Sequence, residues 1–252
     1  ASTENEEEEQ LKEEESTASG IPEPPVASGV QLPPSTVKQE VADADIASGA
    51  LVYNYALQIP QGRGGMQPSL SLAYNSQQNE EGSQVGYGWG LDIPTIERKN
   101  VDGLNNLYTS ENFTSSLSGD LKKISREGSV SEFGAKIDTG SFLKYSFDQG
   151  AGEEAGTWTV KDKVGTTYTF GVHSDSRLSN PSDVTKVFRW YLTKVADSKG
   201  NFISYEYSKV DNQVYPLAIT YTNHSLEGLE VPGILKVQFN LEDRTDRAMS
   251  AK

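Results

Sequence analysis

From Leu51 onward the chain alternates between apolar and polar positions. Leu51, Tyr53, Tyr55, Leu57 and Ile59 share one parity, and Val52, Asn54, Ala56 and Gln58 share the other, so one face is the more apolar. A period of two marks a half-buried strand. Pro60 and Gly62-Arg63-Gly64-Gly65 end it in a turn. Residues 69–76 repeat the pattern, with Leu70, Leu72 and Tyr74 against Ser69, Ser71 and Ala73, and a polar loop follows over 77–84. The same grammar predicts strands at Thr95–Arg98 and at 141–147, 157–160, 166–170, 187–194, 202–207, 217–221 and 234–241. Clusters of Gly, Asp, Asn and Ser separate them at hairpin distances. Asp197-Ser198-Lys199-Gly200-Asn201 is the firmest turn, because glycine takes a positive φ at little cost. No window carries a long stripe of period 3.6. The fold class is therefore all-β: antiparallel hairpins forming a sheet, a sandwich or a barrel-like shell.

Composition divides the chain. Residues 1–46 hold few large apolar side chains and read as a disordered, acidic, Pro-containing leader; residues 47–252 read as the folded β domain. Of the formal net charge of −14, the first 17 residues supply −7, from eight glutamates and one lysine. This reads as a solvated tether in preference to a tail that docks on a basic partner. An acidic chain repels phosphate backbones, which excludes nucleic acid as a natural partner and disfavours anionic membranes. No apolar run approaches the roughly 20 residues that cross a bilayer, so no membrane insertion by this chain is expected. Zero cysteines exclude disulfides, thiolate metal sites and cysteine nucleophiles. No signal-peptide pattern opens the chain. At the other end, residues 237–244 read as an edge strand running into polar sequence. That predicts a truncated domain whose last edge a longer parent covers.

Candidate chemistry is sparse. Gly62, Gly64 and Gly65 resemble a phosphate loop only in composition; a proline and a strand follow where a helix is needed, so a structural turn is the better reading. Gly86-Tyr87-Gly88-Trp89-Gly90 alternates glycine with large aromatics. Close strand approach with Trp89 in the core explains it. The competing reading is an exposed sugar platform of Tyr87, Trp89 and Trp158. His173 and His224 are the only histidines and have no converging groups in sequence, which points to surface or loop positions. Asp162, Asp175, Asp183, Asp197 and Asp211 fall in loops and match no calcium-loop spacing, so they read as turn caps. No Gly-x-Ser-x-Gly elbow occurs, which leaves a hydrolase as the weakest option. The expectation is no catalytic residue, no metal and no cofactor.

Four ordered blocks carry a resemblance. The first runs through Pro60, Gly62, Gly64, Gly65, Pro68, Leu70, Leu72, Tyr74, Asn75 and Ser76. The second holds Gly86, Gly88, Trp89, Gly90, Leu91, Ile93, Ile96 and Arg98. The third is Trp158-x-Val160-x-Asp162-Lys163-x-Gly165-Thr166-x-Tyr168-x-Phe170-Gly171. The fourth is Trp190-Tyr191-Leu192-x-Lys194, then Asp197, Gly200, Asn201, Ile203, Tyr205 and Tyr207. Together they resemble the N-terminal domain of the SpvB and insecticidal toxin-complex B-subunit family, and 197–207 is similar to one RHS repeat. The resemblance implies an exported bacterial protein, cytoplasmic only before export, whose strands help build a shell around a toxin or effector cargo. It implies as partners the remainder of its own RHS shell, a C-type subunit and a pore-forming A-type subunit. In SpvB a similar domain precedes an ADP-ribosyltransferase; the Arg, Ser-Thr-Ser and Glu-x-Glu arrangement of that activity is missing after Leu51, so the activity does not carry over. The expected function is structural and non-enzymatic, and the alternative is a carbohydrate-binding or adhesive cell-surface β-sandwich.

Overall fold

A computed structural model describes residues 43–44, 49–77, 85–150, 155–226 and 228–242, all within one unit, Glu40–Lys252. The leader predicted for 1–46 lies outside the described residues except Asp43–Ala44, which pair with Leu51 and Val52 as a short strand.

The strands, in chain order, are β1 (Asp43–Ala44), β2 (Leu51–Ala56), β3 (Ser71–Asn75), β4 (Trp89–Leu91), β5 (Thr95–Arg98), β6 (Phe113–Ser115), β7 (Gly119–Glu127), β8 (Val130–Ala135) and β9 (Lys144–Asp148). There follow β10 (Thr157–Lys161), β11 (Thr167–Phe170), β12 (Arg177–Asn180), β13 (Asp183–Ala196), β14 (Asn201–Val210), β15 (Gln213–Leu226), β16 (Leu229–Val231) and β17 (Leu235–Gln238). Among the described residues the only helical segments are three short 3-10 turns. Every pairing is antiparallel, as predicted. Each strand predicted from the sequence overlaps an observed one, but β1, β4, β6, β7, β8, β12 and β16 had not been expected.

Eight strands close into a barrel. The order runs β11-β10-β9-β8-β7-β6-β5-β13, and β13 pairs back onto β11. Alternation within the strands fills the interior. In β10, Trp158 and Val160 point inward while Thr157, Thr159 and Lys161 do not. The register sets Ser131, Phe147, Trp158 and Phe170 in one inward row, and Phe133, Tyr145, Val160 and Tyr168 in the next. Trp158 stacks on Phe147 at 4.6 Å between centroids and meets Phe113 edge-on at 4.9 Å. Trp190, from β13, joins the same cluster and donates its indole N–H to the Gly156 carbonyl at 2.7 Å. Fully burying an aromatic ring contributes roughly 2–3 kcal/mol by transfer alone, so this cluster is the main source of stability. It also makes the barrel a packed core instead of a lumen.

Two further parts attach. The long β14–β15 hairpin, extended by β16 and β17, packs Ile203, Tyr205, Tyr207, Ile219 and Tyr221 against the barrel. The Tyr207 hydroxyl donates to the Leu192 carbonyl. The second part is a separate four-stranded sheet, β1-β2-β3-β4. Leu57 and Ile59, just beyond β2, pack on the core. By contrast Leu51 and Tyr55, placed by parity on the buried side, are 46% and 48% exposed. Within β2 the predicted apolar side is covered no better than the other: only Tyr53 on it and Val52 on the reverse are half-buried.

Candidate functional site

The family-like residues gather into a few clusters, and the tightest surrounds Arg98 at the end of β5. Its Nε donates to the Val187 carbonyl at 2.9 Å, and its Nη1 donates to the Ser110 carbonyl at 2.8 Å. The guanidinium lies 4.9 Å from the Phe113 ring centre and 5.5 Å from that of Trp190. Burial pushes its pKa down to about 10, against the opposing pull of Tyr108 and Glu111. It therefore stays charged at neutral pH, held by carbonyl oxygens and aromatic faces. Arg98 ties β5, β13 and the 104–110 loop together, which is a clamp inside the fold and not a ligand contact.

A second cluster joins the first and fourth blocks. Asp197 Oδ1 accepts from the N–H groups of Lys199 at 2.8 Å and Asn201 at 2.9 Å, and Asp197 Oδ2 accepts from Asn201 Nδ2 at 2.8 Å. Slight burial works against the carboxylate charge, but these donors outweigh it and hold the group below the ordinary aspartate value. Gly200 has φ +85°, and a Cβ there would stand 2.2 Å from the Ser225 carbonyl oxygen, so no other residue fits. His224 Nδ1 lies 3.2 Å from Asn201 Oδ1. The Tyr221 hydroxyl donates to the Pro60 carbonyl at 3.0 Å, and Gly64 packs beside Asn201 Nδ2. The Asp162-to-Thr166 turn repeats the design: Asp162 Oδ1 accepts from the N–H groups of Val164 and Thr166, with Gly165 at positive φ. Gly165 packs against Ser198 of the other turn. Asn223 was not singled out from the sequence. It is buried, and it holds the Phe202, Thr220 and Gly233 backbones together. An asparagine at an inward position of a strand was the available signal.

The predicted sugar platform is corrected in composition. Trp158 is fully buried in the barrel and presents no surface to a ligand. Tyr87 is 55% exposed in the turn before β4. Trp89 is half-buried on the four-stranded sheet, not in the barrel core, and packs 5.2 Å from Tyr74 and 6.1 Å from Tyr53. Gly86 and Gly88 have positive φ on either side of Tyr87, and Asn75 N–H donates to the Gly88 carbonyl. Gly62 and Gly65 flank the short turn after β2, Pro68 is buried just before β3, and Gly171 packs directly under Trp190.

The remaining candidates stay apart. His173 caps an exposed 3-10 turn, whereas His224 lies within β15 and is not a loop residue. Asp183 accepts from Thr185 N–H, and Asp211 forms the positive-φ turn between β14 and β15. Among the described residues no group of three or more His, Cys, Asp or Glu could hold a metal. A shallow cavity at one rim of the barrel includes Asp148, Thr157, Val172 and Arg177; the Arg177 guanidinium there is engaged with the Gly171 and Val172 carbonyls. Among the described residues no helix is long and apolar enough to cross a membrane.

Comparison with known proteins follows the same residues. Among solved structures, the fold is similar to a chain of the Photorhabdus luminescens Tc holotoxin pore, with a TM-score of 0.67 at 21% identity over 80% of this chain and 11% of that one. It is similar to a chain of the TcdB2–TccC3 complex, with a TM-score of 0.64 at 22% identity over 76% and 11%. It is also similar to the N-terminal domain of the effector protein SpvB from Salmonella typhimurium strain LT2, with a TM-score of 0.59 at 18% identity over 68% and 64%. The chain thus spans about a tenth of the toxin-complex chains and just under two thirds of the SpvB chain. No curated protein sequence matches it. The family model described as Salmonella virulence plasmid 65kDa B protein matches residues 46–228, most of the chain, and this protein therefore belongs to the SpvB family.

Proposed function

We propose that this domain works through its architecture and not through catalysis, as a structural and interaction module of an exported toxin-complex-like protein. In this reading its strands contribute to a β-shell that encloses a toxin or effector segment and excludes water and proteases. Its partners are the remainder of its own shell, a C-type subunit and a pore-forming A-type subunit, and it acts outside the cell that makes it.

The observation that carries the reading is the likeness, over 80% of this chain, to a small part of a Tc holotoxin pore chain. Two features of the molecule support it. The barrel interior is filled by rings, leaving no catalytic cleft there. The most deeply embedded charged residue of the family blocks, Arg98, is spent on backbone carbonyls.

The test is protease digestion of the full-length parent co-expressed with its C-type partner. The expected outcome is a large resistant particle whose enclosed segment is cut only after denaturant opens the shell. Cleavage of that segment at the rate of the isolated segment would end the proposal. Turnover of any substrate by this domain, lost on changing one Ser, Asp or Glu, would end its non-enzymatic half.

A further inference from the structure

Two adjoining connections at one rim of the barrel expose large apolar side chains. The β8–β9 connection carries Ile137 and Phe142, 76% and 64% exposed, and the β10–β11 turn carries Val164, 71% exposed. Register makes the two connections neighbours: Lys144, which opens β9, pairs directly with Lys161, which closes β10. Lys163 Nζ lies 5.7 Å from the centre of the Phe142 ring. Single exposed apolar residues are ordinary, but three on adjoining turns make a patch.

Two local costs accompany this patch. Phe142 has φ +51°, in the left-handed region that bulky side chains rarely enter. Asp138 Oδ1 helps to hold it there, accepting from the N–H groups of Gly140 at 2.9 Å, Ser141 at 3.1 Å and Phe142 itself at 3.4 Å. The second cost is electrostatic. Lys144 and Lys161 set like charges opposite each other on the ladder, which is destabilising. Glu132 relieves Lys144, at 2.6 Å. Phe142, Lys144 and Lys161 are all exposed, so packing offsets neither cost. Strain of this kind gathers where a surface is used.

Charge selects the partner. The whole chain is at −14, but segments 136–144 and 161–166 hold four lysines, Lys136, Lys144, Lys161 and Lys163, against two aspartates. Those aspartates, Asp138 and Asp162, accept from the backbone amides of their own turns. The apolar tips are thus set among cations. The acidic remainder of the surface is screened beyond about 10 Å at 0.1 M salt, so the local sign governs contact. Three side chains on two turns fall well short of the roughly 800 Å² per partner that a stable protein interface takes. A lipid headgroup layer demands no such area: it takes apolar tips into its acyl boundary while lysines meet its phosphates.

We propose that the rim formed by the 136–144 and 161–166 connections docks peripherally on an anionic lipid surface. Ile137, Phe142 and Val164 enter the headgroup layer, and the four lysines contact its phosphate groups. No strand crosses the bilayer. The poor affinity for anionic membranes expected from net charge is thereby confined to the rest of the surface. This role goes beyond the shell reading and does not depend on it.

The experiment floats the chain with vesicles of phosphatidylcholine containing about 30% phosphatidylserine, at about 0.1 M salt, and with vesicles of phosphatidylcholine alone. Binding to the anionic vesicles is expected, and it should be at least about tenfold weaker on the neutral vesicles or at about 1 M salt. Phe142→Ser should weaken it about tenfold, and Lys161→Glu combined with Lys163→Glu about a hundredfold. These residues are exposed, so the melting curves do not fall below that of the parent. Connections alternate between rims along β5 to β11, which puts exposed Leu104 at the opposite rim. Leu104→Ser should therefore bind as the parent does. Failure to float with the anionic vesicles overturns the proposal. So does parental binding by the Phe142 and lysine variants, or a loss in Leu104→Ser as large as in Phe142→Ser. A dimer that forms without lipid and is abolished by Phe142→Ser would make the patch a contact between copies, and overturns it likewise.

Discussion

Trp158 and Trp89 sit in short antiparallel strands of similar make-up, yet one has no exposed surface and the other rests on an open sheet. The difference lies in closure. In the eight-stranded barrel each inward side chain is covered from the far wall as well as from its neighbours, so Trp158 meets Phe113, Phe133, Phe147 and Trp190. The four-stranded sheet has no far wall among the described residues, and Trp89 packs on Tyr53 and Tyr74 alongside it. The same kind of side chain is thus fully enclosed in one place and only half-covered in the other.

That contrast can be tested by mutation. Trp158→Ala should cost about 3–5 kcal/mol in urea unfolding, against about 1–2 kcal/mol for Trp89→Ala. Equal losses would mean that the two regions share one core. Next in size, Arg98→Met should cost about 2–4 kcal/mol, because the Val187 and Ser110 carbonyls lose a buried donor. Arg98→Lys keeps the charge but not the fork and should fall about halfway. An unchanged midpoint in Arg98→Met would remove the clamp from the account of the barrel.

A smaller effect is set by pH. The Asp197 carboxyl titrates below its ordinary value in the folded state because backbone and Asn201 donors favour the anion. Its contribution is therefore complete above the unfolded value of about 3.9, and it is lost as pH falls through the lowered folded value. Asp197→Ala should cost about 1 kcal/mol at neutral pH, and its gap from the parent should close in that acid window. A gap independent of pH would show that the donors do not act on the charge. Smallest of all, Tyr55→Ser should stay within about 0.5 kcal/mol, marking the open sheet as a place where apolar rings are not held for stability.

Much of the barrel was legible from parity. Thr95–Arg98 was predicted with its observed ends, and Thr157-Trp158-Thr159-Val160-Lys161 already placed Trp158 on the apolar side with Val160. Listening to that parity would have removed Trp158 from the sugar platform. β7 escaped because Leu121 is its one buried side chain, and Ile124, beside two lysines, falls on the outer face of the strand. β6 is only three residues long. The open sheet was legible strand by strand but not as a surface. The Tyr53–Tyr74–Trp89 row exists only once the register is fixed, and register is a property of turns and pairing that alternation alone leaves free. Arg98 was picked out by resemblance, but its partners come from segments distant in sequence, so its role as a clamp was not.

Closure also orders events in time. The seam between β5 and β13 joins Glu97 to Arg189, a sequence separation of 92. Until β13 is in place, the wall from β5 to β11 has two free edges and an inner surface of exposed rings. Contacts between such distant residues make folding slow, on the order of milliseconds to seconds, and leave unpaired strands open to wrong partners meanwhile. A chain kept from pairing β13 would remain threadable and vulnerable; one that has paired it is locked. Residues 183–196 are thus the latch of the domain, and the moment they become available sets when it commits to its native form.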